Sequence, residues 1–354
     1  QSKITDEIFE KIEAVLIQLL YSNNSQLSFH CAIRIAQCLL LLYQNERKIK
    51  IWNLITAFNK KPDLPIIYAT GHVLKKRGKY SKSVVSGVAK TLFTINEKFI
   101  FGQIFALTSC FKSSPQDMKN FFDKSFSLIK KFVLIPNEPL QLQCLKLAIQ
   151  MIKNGQLHQD KFIPLISTLL QDQNMPFIID ESCYLIALLA FSQLRLKSPE
   201  TEETSKKSTK DDLNQLSKAF SIIEAFKKFF DKIFARFLSL LTPEFINANS
   251  LNLFNIVRRI DVSQMPDLIS FFGIDVRRDL FTQLSKESIS LDQIRVMTFL
   301  AFDSKSLSDT AQLALEVVTR PNLRERMKSA LFFSNFVQRD PQTATQFLKK
   351  ASKF

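Results

Sequence analysis

The most constraining feature of this 354-residue sequence is a small residue that returns at nearly constant spacing inside apolar segments. Five such segments share one register: FHCAIRIAQCLLLL, LPIIYATGHVLKK, KFIFGQIFALTSCF, PLQLQCLKLAIQMI and IDESCYLIALLAF. The small residues are Ala36, Gly71, Ala106, Ala148 and Ala187, at intervals of 35, 35, 42 and 39 residues. The residues four positions earlier are mostly small as well. Because residues at i and i+4 share one face of a helix, the pattern predicts a flat strip that admits a close neighbour.

Each of these segments follows another stretch whose apolar residues recur at helical spacing. The pattern predicts the helix pairs 8–20 with 28–43, 48–58 with 64–76, 82–95 with 98–111, 116–134 with 139–153, and 159–170 with 177–196. A single helix pair cannot bury its own apolar face, whereas stacked pairs form a continuous core. A repeat of this length is typical of HEAT and armadillo proteins. The alternative is that any all-α protein offers small residues that can be aligned by eye.

The composition favours helices over strands, because only 6 residues are glycine and sheet proteins need many turn glycines. The predicted fold class is therefore all-α, an α-solenoid of stacked antiparallel helix pairs of the HEAT/armadillo-like kind.

The chain divides into three predicted parts. Residues 1–194 form regular HEAT-like pairs, 195–212 a polar, disordered insertion (RLKSPETEETSKKSTKDD), and 213–354 a less regular helical continuation. The continuation is predicted to open with one long helix over 212–241. Ser198 precedes a proline and is a candidate phosphorylation site, although a tolerated surface insertion is the simpler explanation of the segment.

No pattern in the sequence indicates catalysis. The three histidines, His30, His72 and His158, lie far apart and at no metal-ligand spacing, and no phosphate-loop, nucleophile-elbow or zinc-protease motif occurs. We therefore expect no enzyme activity, no cofactor, no metal and no small-molecule substrate.

The five cysteines are odd in number, form no CxxC pair and each sit among apolar residues. They are predicted to be buried free thiols of a protein in a reducing compartment. No uninterrupted apolar run reaches the length that a membrane span requires.

The net charge of +15 is uneven along the chain. Residues 1–153 contain 22 Lys and Arg against 10 Asp and Glu, whereas the remainder contains 26 against 23. A basic first half indicates acidic partners, either an acidic protein segment, an anionic lipid surface or nucleic acid. The alternative is that the lysines only keep a Phe-rich helical protein soluble.

A basic run follows the second small-residue helix, in the stretch IIYATGHVLKKRGKYSK. Its cations are Lys75, Lys76, Arg77, Lys79 and Lys82. Some of these charges offset the carbonyl end of a helix that terminates at Gly78, which is ordinary capping. The run is also a candidate interaction edge for an acidic protein segment or a lipid head group. Nucleic acid is a weaker expectation, because Tyr80 is the only aromatic residue in the run.

The first 150 residues or so resemble the N-terminal part of the HEAT repeat-containing protein five family. The resemblance lies in the order of CAIRIAQCLLLLY, a linker with Trp52, LPIIYATGHVLKKRGK and a helix near Ser83, with Gly71 and Gly78 matching two family glycines. It implies a scaffold without catalytic residues that acts with clathrin adaptors in traffic between endosomes and the Golgi. Other HEAT solenoids, including importin-type carriers and vesicle-coat subunits, fit the repeat as well.

The repeat and the charge predict a non-catalytic protein-interaction scaffold, and the resemblance implies a role in vesicle trafficking, cytoplasmic or peripheral on endosome and Golgi membranes. Its expected partners are acidic protein segments or adaptor subunits, with peripheral contact to anionic membrane. The alternatives are a nuclear-transport carrier, a chromosome-organising HEAT protein and a phosphatase-type or kinase-type scaffold. The positive charge speaks against the first alternative, because such carriers hold basic cargo on acidic surfaces.

Overall fold

The fold is known from a computed structural model. It describes residues 6–21, 34, 38, 67, 69–71, 74, 82–155, 159–171, 173–194, 208–260, 264–286, 291–318, 345 and 349. These residues form α-helices, short 3₁₀ turns and connecting loops, and the described part of the chain contains no strand. The predicted all-α class is therefore confirmed. The chain divides into two compact units, Gln1–Ser192 and Gln193–Phe354.

Unit 1 contains seven described helices. They are α1 (Asp6–Tyr21), α2 (Lys82–Leu92), α3 (Ile100–Ser113), α4 (Phe122–Phe132), α5 (Glu138–Lys153), α6 (Gln159–Gln171) and α7 (Pro176–Phe191). Local sequence explains their ends. The Asn137 side chain accepts a hydrogen bond from the Leu140 amide at the start of α5, and Gly155 follows its end with a φ of 76°.

Helices of unit 1 pack as consecutive pairs, α2 with α3, α4 with α5, and α6 with α7. The second helices of these pairs also contact one another in succession, α3 with α5 and α5 with α7. Ala106, Ala148 and Ala187 are buried on these helices. Gly71 packs against Phe105 and Ala106 of α3, which leaves no room for a side chain there. The small residues therefore lie where helices approach closely.

Unit 2 contains eight described helices. They are α8 (Ser208–Glu224), α9 (Phe230–Leu238), α10 (Pro243–Ala248), α11 (Ser250–Ile260), α12 (Met265–Ser270), α13 (Ile274–Leu284), α14 (Leu291–Leu300) and α15 (Ser304–Val318). Helix α8 packs on α9 and α11, α11 on α12, and α14 on α12, α13 and α15.

A buried glutamine near the start of a second helix recurs in both units. Gln103 and Gln141 donate from Nε2 to the carbonyl oxygens of Leu92 (2.7 Å) and Val133 (3.0 Å), and Gln293 donates to Leu284. Each bond satisfies a carbonyl at the end of the preceding helix, where the helix itself leaves no donor. The glutamines therefore fix how the two helices of a pair meet.

The predicted single helix over 212–241 is wrong, because the chain turns between α8 and α9. Phe226 has φ −114° and ψ 50°, outside the helical region. The turn brings the ring of Phe220 within 6.0 Å of Phe234 and 5.7 Å of Phe237, measured between centroids. In a straight helix Phe220 and Phe234 would be about 21 Å apart. Burial of this aromatic cluster explains the break.

Two further expectations differ from the structure. Helix α8 begins at Ser208, so residues 208–212 are helical although they belong to the predicted insertion, and 195–207 lie outside the described residues. Cys110, Cys144 and Cys183 are buried free thiols as predicted, but Cys38 is exposed. Cys31 lies outside the described residues.

The apolar face of α1 is exposed to solvent, with Ile8, Val15 and Leu19 between 45% and 55% exposed.

Candidate interaction site at paired helix ends

The basic run predicted as an interaction edge is mostly outside the described residues. Lys75, Lys76, Arg77 and Lys79 fall there, and Lys82 is the first residue of α2, with a side chain that is not described. Ser198 and the three histidines also lie outside the described residues. The predicted edge and phosphorylation site therefore stay predictions.

A different basic site is formed in unit 2, where the ends of two helices meet. Helix α8 ends at Glu224, and a 3₁₀ turn over Lys227–Phe229 leads into α9. Helix α11, which packs on α8, carries Arg258 and Arg259 in its last turn. The chain thus places the pair Lys227–Lys228 near the pair Arg258–Arg259, although the two pairs are distant in the sequence.

These helix ends border a half-open cavity of about 440 Å³, which we call the basic pocket. It is lined by Glu224, Lys227, Phe230, Arg259 and Ile260. Phe230 is 6% exposed and stacks on Phe234 at 5.7 Å, so the apolar wall is fixed by the core. Lys227 and Arg259 are exposed, and Glu224 is half-buried. The pocket therefore combines an apolar wall with accessible charges of both signs.

The charged side chains of the basic pocket are available to bind a ligand. Cations near a helix end offset the carbonyl dipoles, which explains their presence in the last turn. Among the described residues, however, the side chains of Glu224, Lys227 and Arg259 form no hydrogen bond or ion pair. By contrast, Asp231 at the start of α9 accepts a hydrogen bond from Gln264 at 2.8 Å. The nearest acidic residue of α9 thus has a partner, whereas the two pocket cations have none within the described ranges.

The sequence contains a signal for this site that the predicted helix boundaries concealed. The dibasic pairs in AFKKFF and IVRRID lie in the last turn of a helix or in the turn that follows it. Because the two preceding helices, α8 and α11, pack on each other, the two dibasic segments contribute to one basic surface. The prediction of a single helix over 212–241 hid the first of these turns.

Two other cavities are less informative about a ligand. A groove of about 590 Å³ lies between α13, α14 and α15, and its lining includes two acidic residues, Asp303 and Asp309, and one basic residue, Lys305. Hydrogen bonds from the Ser306 amide and hydroxyl lower the pKa of Asp303, which caps α15. In unit 1 a cavity of about 310 Å³ is flanked by the exposed Leu134 and Met175.

Neither a metal-site pattern nor a sequence comparison identifies a ligand for the basic pocket. Within the described ranges, no three His, Cys, Asp or Glu side chains cluster as a metal site would require, and no helix is long and apolar enough to cross a membrane. No protein-family model matches the sequence, and a comparison with curated proteins finds no significant match.

Proposed function

We propose that this chain is a non-catalytic protein-interaction scaffold built as a HEAT/armadillo-like α-solenoid. One observation supports it above the others: second helices bond to each other across one repeat length. Ser113 Oγ donates to the Leu74 carbonyl at 2.7 Å, Gln143 Nε2 to Thr108 Oγ1 at 3.1 Å, and Asn154 Nδ2 to the Phe111 carbonyl at 2.7 Å. The partners are separated by 39, 35 and 43 residues, which matches the spacing of the small residues.

The first helices of unit 1 interact at the same separation. Lys161 of α6 pairs with Asp123 of α4 at 2.9 Å across 38 residues. Lys131 of α4 pairs across 34 residues with Glu97, which lies in the 3₁₀ turn between α2 and α3. The ring of Phe162 meets Phe126 edge-on at 5.1 Å. Two layers that each repeat with one period are what stacked helix pairs require. This arrangement supports a solenoid, in which helix surfaces and rows of turns are available to partners.

The pathway in the proposal is vesicle trafficking, in the cytoplasm or peripherally on endosome and Golgi membranes. Its support is the resemblance of the first 150 residues to the HEAT repeat-containing protein five family, together with the net charge of +15. The proposed partners are adaptor subunits and other proteins with acidic segments, and anionic membrane at the basic edge.

Proximity labelling with the full chain in its own cells tests the pathway. A fusion to a labelling enzyme is compared with the same enzyme expressed alone, which controls for abundant bystanders. Enrichment of adaptor subunits and of endosomal or Golgi proteins is the expected result. Enrichment of nuclear-pore, chromatin or phosphatase proteins instead would overturn the trafficking proposal and leave the solenoid to be tested separately.

A further inference from the structure

We infer that the basic pocket binds an acidic segment of a partner protein, with one apolar side chain against Phe230 and Ile260 and carboxylates on Lys227 and Arg259. The inference rests on the proposed scaffold function and assigns a site to it. It adds a surface for acidic partners in unit 2 to the predicted edge in the basic first half of the chain.

The two pocket cations favour a ligand that brings its own negative charge. Lys227 and Arg259 are exposed and make no ion pair with a described residue, so no such partner has to be displaced before binding. Arg259 can hold a carboxylate with two parallel hydrogen bonds, whereas Lys227 acts as a point charge. Lys228 and Arg258 adjoin them and add to the local positive potential.

The size and wall of the pocket favour one inserted apolar side chain. A cavity of about 440 Å³ accommodates a side chain and a short backbone stretch, at the lower end of the range for ligand sites. Phe230 already lies in the core, so it provides a rigid apolar surface without reorganisation. An acidic peptide with one aromatic or aliphatic residue therefore complements both the wall and the charges.

Glu224 makes a polyphosphate ligand less suitable than a peptide. Its half-buried carboxylate would repel the closely spaced phosphates of a nucleic acid, which needs many cation contacts for affinity. The same carboxylate can accept a hydrogen bond from a peptide N–H group, which a phosphate backbone does not offer. The buried Phe230 also cannot insert into a bilayer, so a lipid surface would gain only the two cations.

Fluorescence polarisation with a labelled peptide tests the inference on the full chain. The probe is a ten-residue peptide of aspartate and glutamate around one central phenylalanine. We expect saturable binding that weakens about tenfold or more in the Lys227→Glu/Arg259→Glu variant, because both carboxylate contacts become repulsions. Replacing the central phenylalanine of the peptide with serine should also weaken binding.

The control variant is Lys112→Glu/Lys146→Glu, which changes the net charge equally at two exposed lysines of unit 1. It should bind the peptide within about twofold of the native chain at physiological salt, because neither lysine lines the basic pocket. Equal weakening in both variants would overturn the inference, since net charge alone would then explain binding. Absence of saturable binding would overturn it as well.

The substitution Glu224→Gln tests the inference with a variant that should bind the acidic peptide more tightly than the native chain. The variant keeps a side-chain oxygen that can accept the peptide N–H but loses the negative charge that repels the peptide carboxylates, so binding should tighten several-fold. Unchanged or weaker binding would overturn the inference. Vesicles with 20% phosphatidylserine and a single-stranded oligonucleotide are measured in parallel. Tighter binding to either of them than to the peptide, lost in the Lys227→Glu/Arg259→Glu variant, would reassign the pocket and leave the scaffold proposal intact.

Discussion

Gly71 lies so close to Ala106 that a methyl group on Gly71 would be 3.0 Å from the Ala106 Cα and 2.9 Å from Cδ1 of Phe105. The two residues are 35 positions apart and occupy the same place in consecutive small-residue segments. Neither helix can come this close unless its partner also presents a small residue. The contact therefore couples the register of the helix that contains Gly71 to that of α3.

The substitution Gly71→Ala should destabilise the protein by about 1–2 kcal/mol, because the cost of overpacking exceeds the gain in helix propensity. Gly87→Ala is the matched control, since Gly87 is also in a helix and no atom apart from its chain neighbours and its own helix backbone lies within 4 Å of the added methyl group. The control should gain about 0.5–1 kcal/mol. Urea unfolding followed by circular dichroism measures both, and equal effects of the same sign would contradict the close contact.

The hydrogen bond between Gln143 and Thr108 should contribute a coupling energy of about 0.5–1.5 kcal/mol. A double-mutant cycle with Thr108→Val and Gln143→Leu measures this energy from four unfolding curves. Thr168 bonds within its own helix, to the Pro164 carbonyl at 3.0 Å. A second cycle with Thr168→Val and Gln143→Leu should therefore be additive within about 0.5 kcal/mol. Additivity in the first cycle would mean that α3 and α5 are not joined by this bond.

The thiols should react at very different rates with N-ethylmaleimide in the native protein. Cys38 is exposed, whereas Cys110, Cys144 and Cys183 are buried. Burial raises the pKa of Cys110 and of Cys144 to about 12, which keeps them in the unreactive protonated form. Peptide-level mass spectrometry should show early modification of Cys38 and modification of the other three only in denaturant. Early modification of Cys110 would contradict its burial.

Alkaline pH should destabilise the protein through these same thiols. The unfolded thiol ionises above its ordinary pKa near 9, whereas Cys110 in the folded state stays protonated until about pH 12. Between these values the folded state binds more protons, so stability falls as pH rises, by about 1.4 kcal/mol per pH unit and thiol. The measurement is urea unfolding at several pH values above 9.

Cys110→Ala should make this decline shallower, even though the smaller side chain lowers stability at neutral pH. Leu107→Ala is the control, because it opens a cavity in the same helix without removing an ionisable group. Its pH dependence should equal that of the native chain. A Cys110→Ala variant with an unchanged slope would show that this thiol ionises alike in both states.

The helices whose ends the sequence predicts well are those with capping or terminating residues in the local sequence. Helix α5 was expected over 139–153 and occupies Glu138–Lys153, because Asn137 caps its start and Gly155 follows its end. The turn at Phe226 could not be predicted in the same way, since AFKKFFDKIF contains neither glycine nor proline. Its cause is the packing of Phe220 on Phe234 and Phe237, which is a tertiary interaction.

The candidate site also depends on tertiary packing, so local sequence does not predict it. The basic run from Lys75 to Lys82 is contiguous and therefore conspicuous in the sequence. Lys227 and Arg259 form a site only because α8 packs on α11 and both helices end at the same side. Such a site can be predicted only when the helix boundaries are predicted correctly, and the turn at Phe226 was not predicted.

Zero-length carbodiimide cross-linking tests the stacking of successive pairs most directly, because it joins only lysines and carboxylates that touch. The account predicts cross-linked peptides that connect Lys161 with Asp123 and Lys131 with Glu97, each spanning one repeat. Lys11 with Glu7, at 2.7 Å within α1, is the internal positive control. Recovery of the control without either inter-repeat product, or products that join non-adjacent pairs instead, would contradict the stacked arrangement.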